Sequence, residues 1–216
     1  DAFNDPELSV ALGRRMLSRV IADMRDWRER GLLFGTVAIN IANAEVMNHD
    51  FADGVIDTLM AGGIEPGQLE VEVTENVFLG SGARAVADTL ARFRKAGIQV
   101  SLDDFGTGYA SLTHLDQFPL NWVKLDRSFV CRVGMSGKAE AILDGAIKLA
   151  RSLGLGVVAE GIETQDQHAY LRDAGCELGQ GYLFARPMIG TRVPHFVQSR
   201  SAAPVGDAMP IRAQAV

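Results

Sequence analysis

The chain has 216 residues, 47% of them hydrophobic and 22% charged, with 21 Lys+Arg against 27 Asp+Glu for a formal charge of −6. These proportions supply a packed core and exclude a disordered chain, while the acidic balance argues against a nucleic-acid polymer as the main partner. No run approaches the roughly 18 apolar residues of a spanning helix, and two cysteines, Cys131 and Cys176, are too few for a disulfide framework and suit a reducing compartment.

The chain starts a few residues before a helix, without an initiator Met or a signal-peptide pattern, as expected of a portion of a longer protein. Asn4 or Asp5 can cap that helix, Pro6 suits its first turn and Gly31 ends it. Leu8, Leu12, Met16, Val20, Met24 and Trp27 recur at helical spacing and predict one buried face. A strand follows over 36–42, then a helix over 51–60, with Gly62-Gly63 and Pro66-Gly67 breaking the chain. The pattern continues with a strand at 69–74, a helix at 83–96 and a strand at 100–103. A short helix at 111–117 leads to a strand at 122–125, and a helix at 139–153 to an extended segment at 156–159. A helix at 165–174 and a last strand at 181–184 close the series. The globular body is expected to cover 1–197. Residues 198–216, rich in Ala, Pro and small polar residues, read as a disordered tail or linker.

Regular alternation of strand and helix implies a parallel sheet, either doubly wound or closed as a (β/α)8 barrel. The doubly wound dinucleotide fold needs a glycine-rich turn after its first strand, and Asn40-Ile41-Ala42-Asn43 provides none. A barrel instead places functional groups at the C-terminal ends of several strands.

Strands covered by helices should be almost wholly apolar, yet nearly every one here ends in a polar residue. Asn40, Glu72, Glu75, Asp103, Asp104, Lys124, Glu160, Glu163 and Gln180 occupy such positions. A single case would be read as a helix cap, but the coincidence predicts one polar site at a barrel mouth. Carboxylates and an amide are hard oxygen ligands that suit Mg2+ or Mn2+, and so many acids need cations to neutralise them. Two such ions can promote in-line attack of water on a phosphodiester. His49, His114, His168 and His195 fall away from these strand ends, which disfavours a histidine-based metal site. Lys124 can stabilise developing negative charge. Carboxylate neighbours would keep it protonated, against a Schiff-base role, and a structural ion pair is the alternative. Gly106 and Gly108 bracket Thr107 in a predicted loop at the mouth, which Glu75 could hold by accepting hydrogen bonds. Asp-Phe-Gly also occurs in kinases, but no Gly-rich loop or catalytic-loop motif accompanies it.

Glu72-Val73-Thr74-Glu75, the run Asp103 to Leu112 (DDFGTGYASL) and Lys124-Leu125-Asp126-Arg127-Ser128-Phe129 resemble the EAL-domain phosphodiesterases. So do Ala159-Glu160-Gly161-Ile162-Glu163 and Gln180-Gly181-Tyr182-Leu183-Phe184, and the resemblance extends over about 5–190. It implies a bacterial, cytoplasmic enzyme that hydrolyses cyclic di-GMP to linear pGpG with Mg2+ or Mn2+, two ions being expected. It also implies Asn40, Glu72, Asp103, Asp104 and Glu160 as metal ligands and Lys124 as the group orienting the attacking water, with Glu163 beside it among the catalytic residues. Gln180 would line the site, and Glu75 would hold the loop containing Thr107 and Gly108. The resemblance further implies a homodimer and covalently linked regulatory domains, in a parent protein that could be membrane-anchored. The family's Glu-Ala-Leu strand, with its metal-binding glutamate, is absent from this sequence. The expectation is therefore a TIM-like barrel lacking its first two strands, with lowered metal affinity and activity in this chain alone. A catalytically inactive cyclic di-GMP receptor is the alternative reading.

Overall fold

The computed structural model describes residues 6–78, 82–106, 112–135, 137–201 and 213–214. Its strands are β1 (Val37–Asn40), β2 (Leu69–Thr74), β3 (Gln99–Phe105), β4 (Trp122–Leu125), β5 (Gly156–Ala159), β6 (Leu178–Gly179) and β7 (Ala213–Gln214). The helices are α1 (Pro6–Glu29), α2 (Asn43–Val46), α3 (Phe51–Gly62), α4 (Ala83–Ala96), α5 (Leu112–Gln117), α6 (Arg127–Val130), α7 (Gly137–Ser152), α8 (Gln165–Asp173) and α9 (Val193–Ser201).

All strand pairings are parallel, in the order β6-β5-β4-β3-β2-β1-β7. From β1 to β6 each strand lies beside its sequence neighbour. A doubly wound sheet would reverse its order at a switch point; this one winds in a single sense, as the wall of an incomplete barrel. Among the described residues the sheet does not close, and β6 and β7 are its edges. The two-residue β7 pairs with β1 through Val37↔Ala213 and Ala38↔Gln214, within the segment expected to be a tail.

The two faces of the sheet differ in chemistry because side chains alternate along each strand. Val71, Val73, Val100, Leu102, Val123, Leu125, Val157 and Ala159 join the hydrophobic core together with Leu59, Leu90, Phe93 and Ile147 of the helices. The opposite parity carries Glu70, Glu72, Ser101, Asp103, Trp122, Lys124 and Gly156, aligned through Glu72↔Ser101, Ser101↔Trp122 and Trp122↔Gly156. Gly156 is required there: a Cβ would lie 2.2 Å from a Trp122 ring carbon.

Three expectations need correction. Residues 181–184 form a turn and not a strand: Leu183 N–H donates to the Ile162 carbonyl, Phe184 N–H donates to that of Gly181, and the last barrel strand is Leu178–Gly179. The apolar stripe of α1 is buried at Val20, Met24 and Trp27, but Leu8 and Leu12 are exposed. The first strand stops at Asn40, because Ala42 N–H donates to Glu45 Oε2 at 3.0 Å and the chain turns into α2. Among the described residues no helix is long and apolar enough to cross a membrane.

Candidate active site

Lys124 is the centre of the site. Its side chain is fully buried, and Nζ lies 2.7 Å from Glu72 Oε1, 3.1 Å from Asp103 Oδ1 and 2.7 Å from Glu160 Oε1. Those carboxylates come from β2, from β3 and from the residue after β5, so four neighbouring strand ends deliver one cluster.

The electrostatics follow from burial. Desolvation pushes the Glu72 carboxyl up to about 7 from 4.5; Lys124 opposes that rise, and the charges of Asp103 and Glu160 add to it. Glu160 is likewise raised by burial, with Lys124 opposing and Asp103 reinforcing. Burial would lower the pKa of Lys124, but Glu72, Glu160 and Asp103 together outweigh it and hold the amine protonated. Three carboxylates thus share one ammonium and leave the pocket short of positive charge. A Schiff-base lysine, which must be neutral, does not fit this environment.

Asp103 and Asp104 are consecutive, and strict alternation would send them to opposite faces. The backbone breaks the alternation. Asp104 has φ 55, and the β3–β4 register shifts between Leu102 and Phe105. Asp104 thereby comes within electrostatic reach of Asp103, Asp126, Lys124 and Glu75; its carboxyl is raised by burial first and by those acids second, against Lys124. Its N–H donates to Asp103 Oδ1 at 3.0 Å.

Buried Glu75 accepts from Gly106 N–H at 3.0 Å and so holds the start of the mouth loop. Thr107 and Gly108 lie outside the described residues. Asn40 ends β1, pairs in register with Glu72 and is exposed. The Gln180 N–H donates to the Ala159 carbonyl at 2.9 Å, and its own carbonyl accepts from Ile162 N–H at 3.0 Å, which pins the turn after β5. Glu163 makes none of the Lys124 contacts. Its carboxylate pairs with Arg127 Nη2 at 2.6 Å. Sequence reasoning gave Arg127 no role, although a second cation three residues beyond Lys124 at one strand end was a visible signal.

The donor chemistry, hard oxygens with surplus negative charge, suits a divalent cation such as Mg2+ or Mn2+. The oxygens converge here on the Lys124 ammonium, and among the described residues no three His, Cys, Asp or Glu side chains are grouped as a metal cage. The fit is therefore one of ligand type and charge, with Lys124 occupying the point of convergence.

A singly wound parallel wall with an acidic, lysine-centred cluster at its strand ends defines an α/β-barrel-type domain with a polar mouth. The chain belongs to the EAL domain family, whose model matches residues 2–187. It is 37% identical over 174 residues to a protein of Pseudomonas aeruginosa named as a cyclic di-GMP phosphodiesterase, covering 81% of this chain and 29% of that protein. An uncharacterized protein of Mycobacterium tuberculosis is 34% identical over 198 residues, covering 91% of this chain and 32% of that one. Among solved structures, the EAL domain of Mycobacterium smegmatis DcpA superposes with TM-score 0.82 at 31% identity, covering 89% of this chain and 86% of that chain. The PaMucR phosphodiesterase in complex with c-di-GMP gives TM-score 0.80 at 33% identity, covering 87% and 75%. The chain spans less than a third of the length of these curated relatives.

Proposed function

We propose that this site hydrolyses cyclic di-GMP to linear pGpG, with water as nucleophile and Mg2+ or Mn2+ as cofactor. The observation that carries the reading is the buried Lys124 held by Glu72, Asp103 and Glu160 from separate strands of an EAL-family domain. Relatives named for cyclic di-GMP hydrolysis and a neighbour solved with that dinucleotide support the substrate. Asn40, Glu72, Asp103, Asp104 and Glu160 are the residues that would hold the cations, which when bound supply water activation and offset phosphodiester charge. Lys124, kept protonated by its neighbours, donates hydrogen bonds to the attacking water and to developing negative charge. Glu75 fixes Gly106 by accepting its N–H, Thr107 and Gly108 are read as substrate or loop support, and Gln180 as lining the site. The body 1–197 is the catalytic unit and the segment 198–216, apart from the end of α9 and the β7 strand, a linker, in a homodimeric cytoplasmic protein with covalently attached regulatory domains. Asp103→Asn in the intact protein should abolish turnover of cyclic di-GMP in Mg2+ or Mn2+ while circular dichroism stays unchanged. Near-normal turnover by that variant would refute the assignment.

A further inference from the structure

Arg127 opens α6 directly after β4, and its position is fixed from two sides. Asp126 caps the helix by accepting from Ser128 N–H at 2.9 Å. The aliphatic stem lies across Gly161, where a Cβ would sit 2.2 Å from Arg127 Cγ, 2.7 Å from Cβ and 2.8 Å from Cδ. Gly161 also has φ +67, so the residue next to Glu160 is suited to glycine on both counts. The guanidinium then reaches Glu163 at 2.6 Å, with 61% of the arginine side chain and 42% of the glutamate exposed. Glu163 is itself clamped, its N–H donating to the buried Gln167 Oε1 at 2.8 Å. An ion pair this exposed adds little to stability, yet both backbones and a glycine are arranged around it.

The surroundings say what such an arm is for. Asp103, Asp104, Asp126 and Glu160 crowd the adjoining strand ends, where the single charge of Lys124 is shared among three carboxylates and does not offset them all. A phosphodiester approaching this mouth meets repulsion. A guanidinium offers five N–H donors in a planar fork, and the ion pair with Glu163 engages only one of the two terminal nitrogens.

We infer that Arg127 is a substrate-anchoring residue: held ready over Gly161 by Glu163, it grips a phosphodiester oxygen of the incoming dinucleotide at the rim of the site. This rests on the hydrolase reading above and adds to it the group that draws an anion into an acidic mouth. A pre-positioned arm loses little freedom on binding, so its contribution falls on affinity.

The test measures equilibrium binding of cyclic di-GMP, with KM and kcat, for the intact wild-type protein, Arg127→Ala and Arg127→Lys. Loss of a charge-assisted hydrogen bond predicts that Arg127→Ala raises both KM and the dissociation constant about tenfold or more. Its kcat should stay within about threefold, and Arg127→Lys should recover part of the affinity. Unchanged KM and dissociation constant in Arg127→Ala overturn the inference. So does a joint fall in kcat and thermal midpoint with affinity intact, which would make Arg127 a structural staple. A wild-type protein that neither binds nor hydrolyses cyclic di-GMP overturns both this inference and the hydrolase reading, whereas wild-type turnover beside an unaffected Arg127→Ala overturns this inference alone.

Discussion

Replacing Lys124 with Met removes the cation that Glu72, Asp103 and Glu160 share at 2.7, 3.1 and 2.7 Å and leaves three buried acids without that counter-charge. Deleting one member of a buried pair costs about 3–5 kcal/mol, and three contacts to one ammonium place this site toward the upper figure. For a domain of this size that is a fall in Tm of roughly 6–20 °C. The deficit carries a pH signature. The Glu72 carboxyl already sits at about 7 against 4.5, and without the ammonium it and Glu160 rise further. A folded-state pKa above the unfolded value means that the folded protein holds the extra proton between the two values. Stability from these groups is therefore intact below about 4.5 and is lost as pH climbs through the folded pKa, in a window reaching higher in the variant. Thermal unfolding of both proteins near pH 5 and pH 8, with and without Mg2+, reads this directly. The variant's deficit should be small near pH 5 and full near pH 8, and Mg2+ should narrow it by replacing the lost positive charge. An equal deficit at both pH values with no response to Mg2+ would refute the electrostatic account and leave Lys124 as packing.

Glu75→Ala should strand the Gly106 N–H that now donates at 3.0 Å, costing about 1 kcal/mol of stability and, through the loosened loop, lowering kcat; unchanged turnover in the intact protein would count against a loop-holding role. Gly181→Ala places a Cβ 2.2 Å from the Ile162 carbonyl oxygen, and backbone cannot yield cheaply. Unfolding in denaturant should show a loss of about 1–3 kcal/mol, and an unchanged midpoint would disprove the close approach. Gly156→Ala drives a methyl into the Trp122 ring at 2.2 Å and should shift tryptophan emission together with a similar destabilisation; an unaltered spectrum would show that the ring does not lie over that glycine.

Strand-then-helix alternation and the polar strand ends were legible because short strands covered by helices must be apolar, so Glu72, Asp103, Lys124 and Glu160 stand out. Single winding was expected from the missing glycine-rich turn after the first strand and from the barrel family the motifs resemble, and the strand order bears it out. Gly181-Tyr182-Leu183-Phe184 has the composition of a strand, yet the turn wins because Gly181 lies against the Ile162 backbone. The left-handed Asp104 left no trace either: two adjacent aspartates read as two faces until the register shift brings both toward Lys124. The pairing of Arg127 with Glu163 joins residues 36 apart in sequence, beyond the reach of any spacing rule.

The backbone at Asp104 also bears on how such a domain can decay over evolutionary time. Glycine and asparagine tolerate φ 55 better than aspartate does, so drift to either residue would relieve strain while erasing a charge. On the proposed reading, a descendant altered there would lose a cation ligand yet stay well folded, so the loss would not show in expression levels. Erosion at Lys124 would instead be exposed at once as an unstable product.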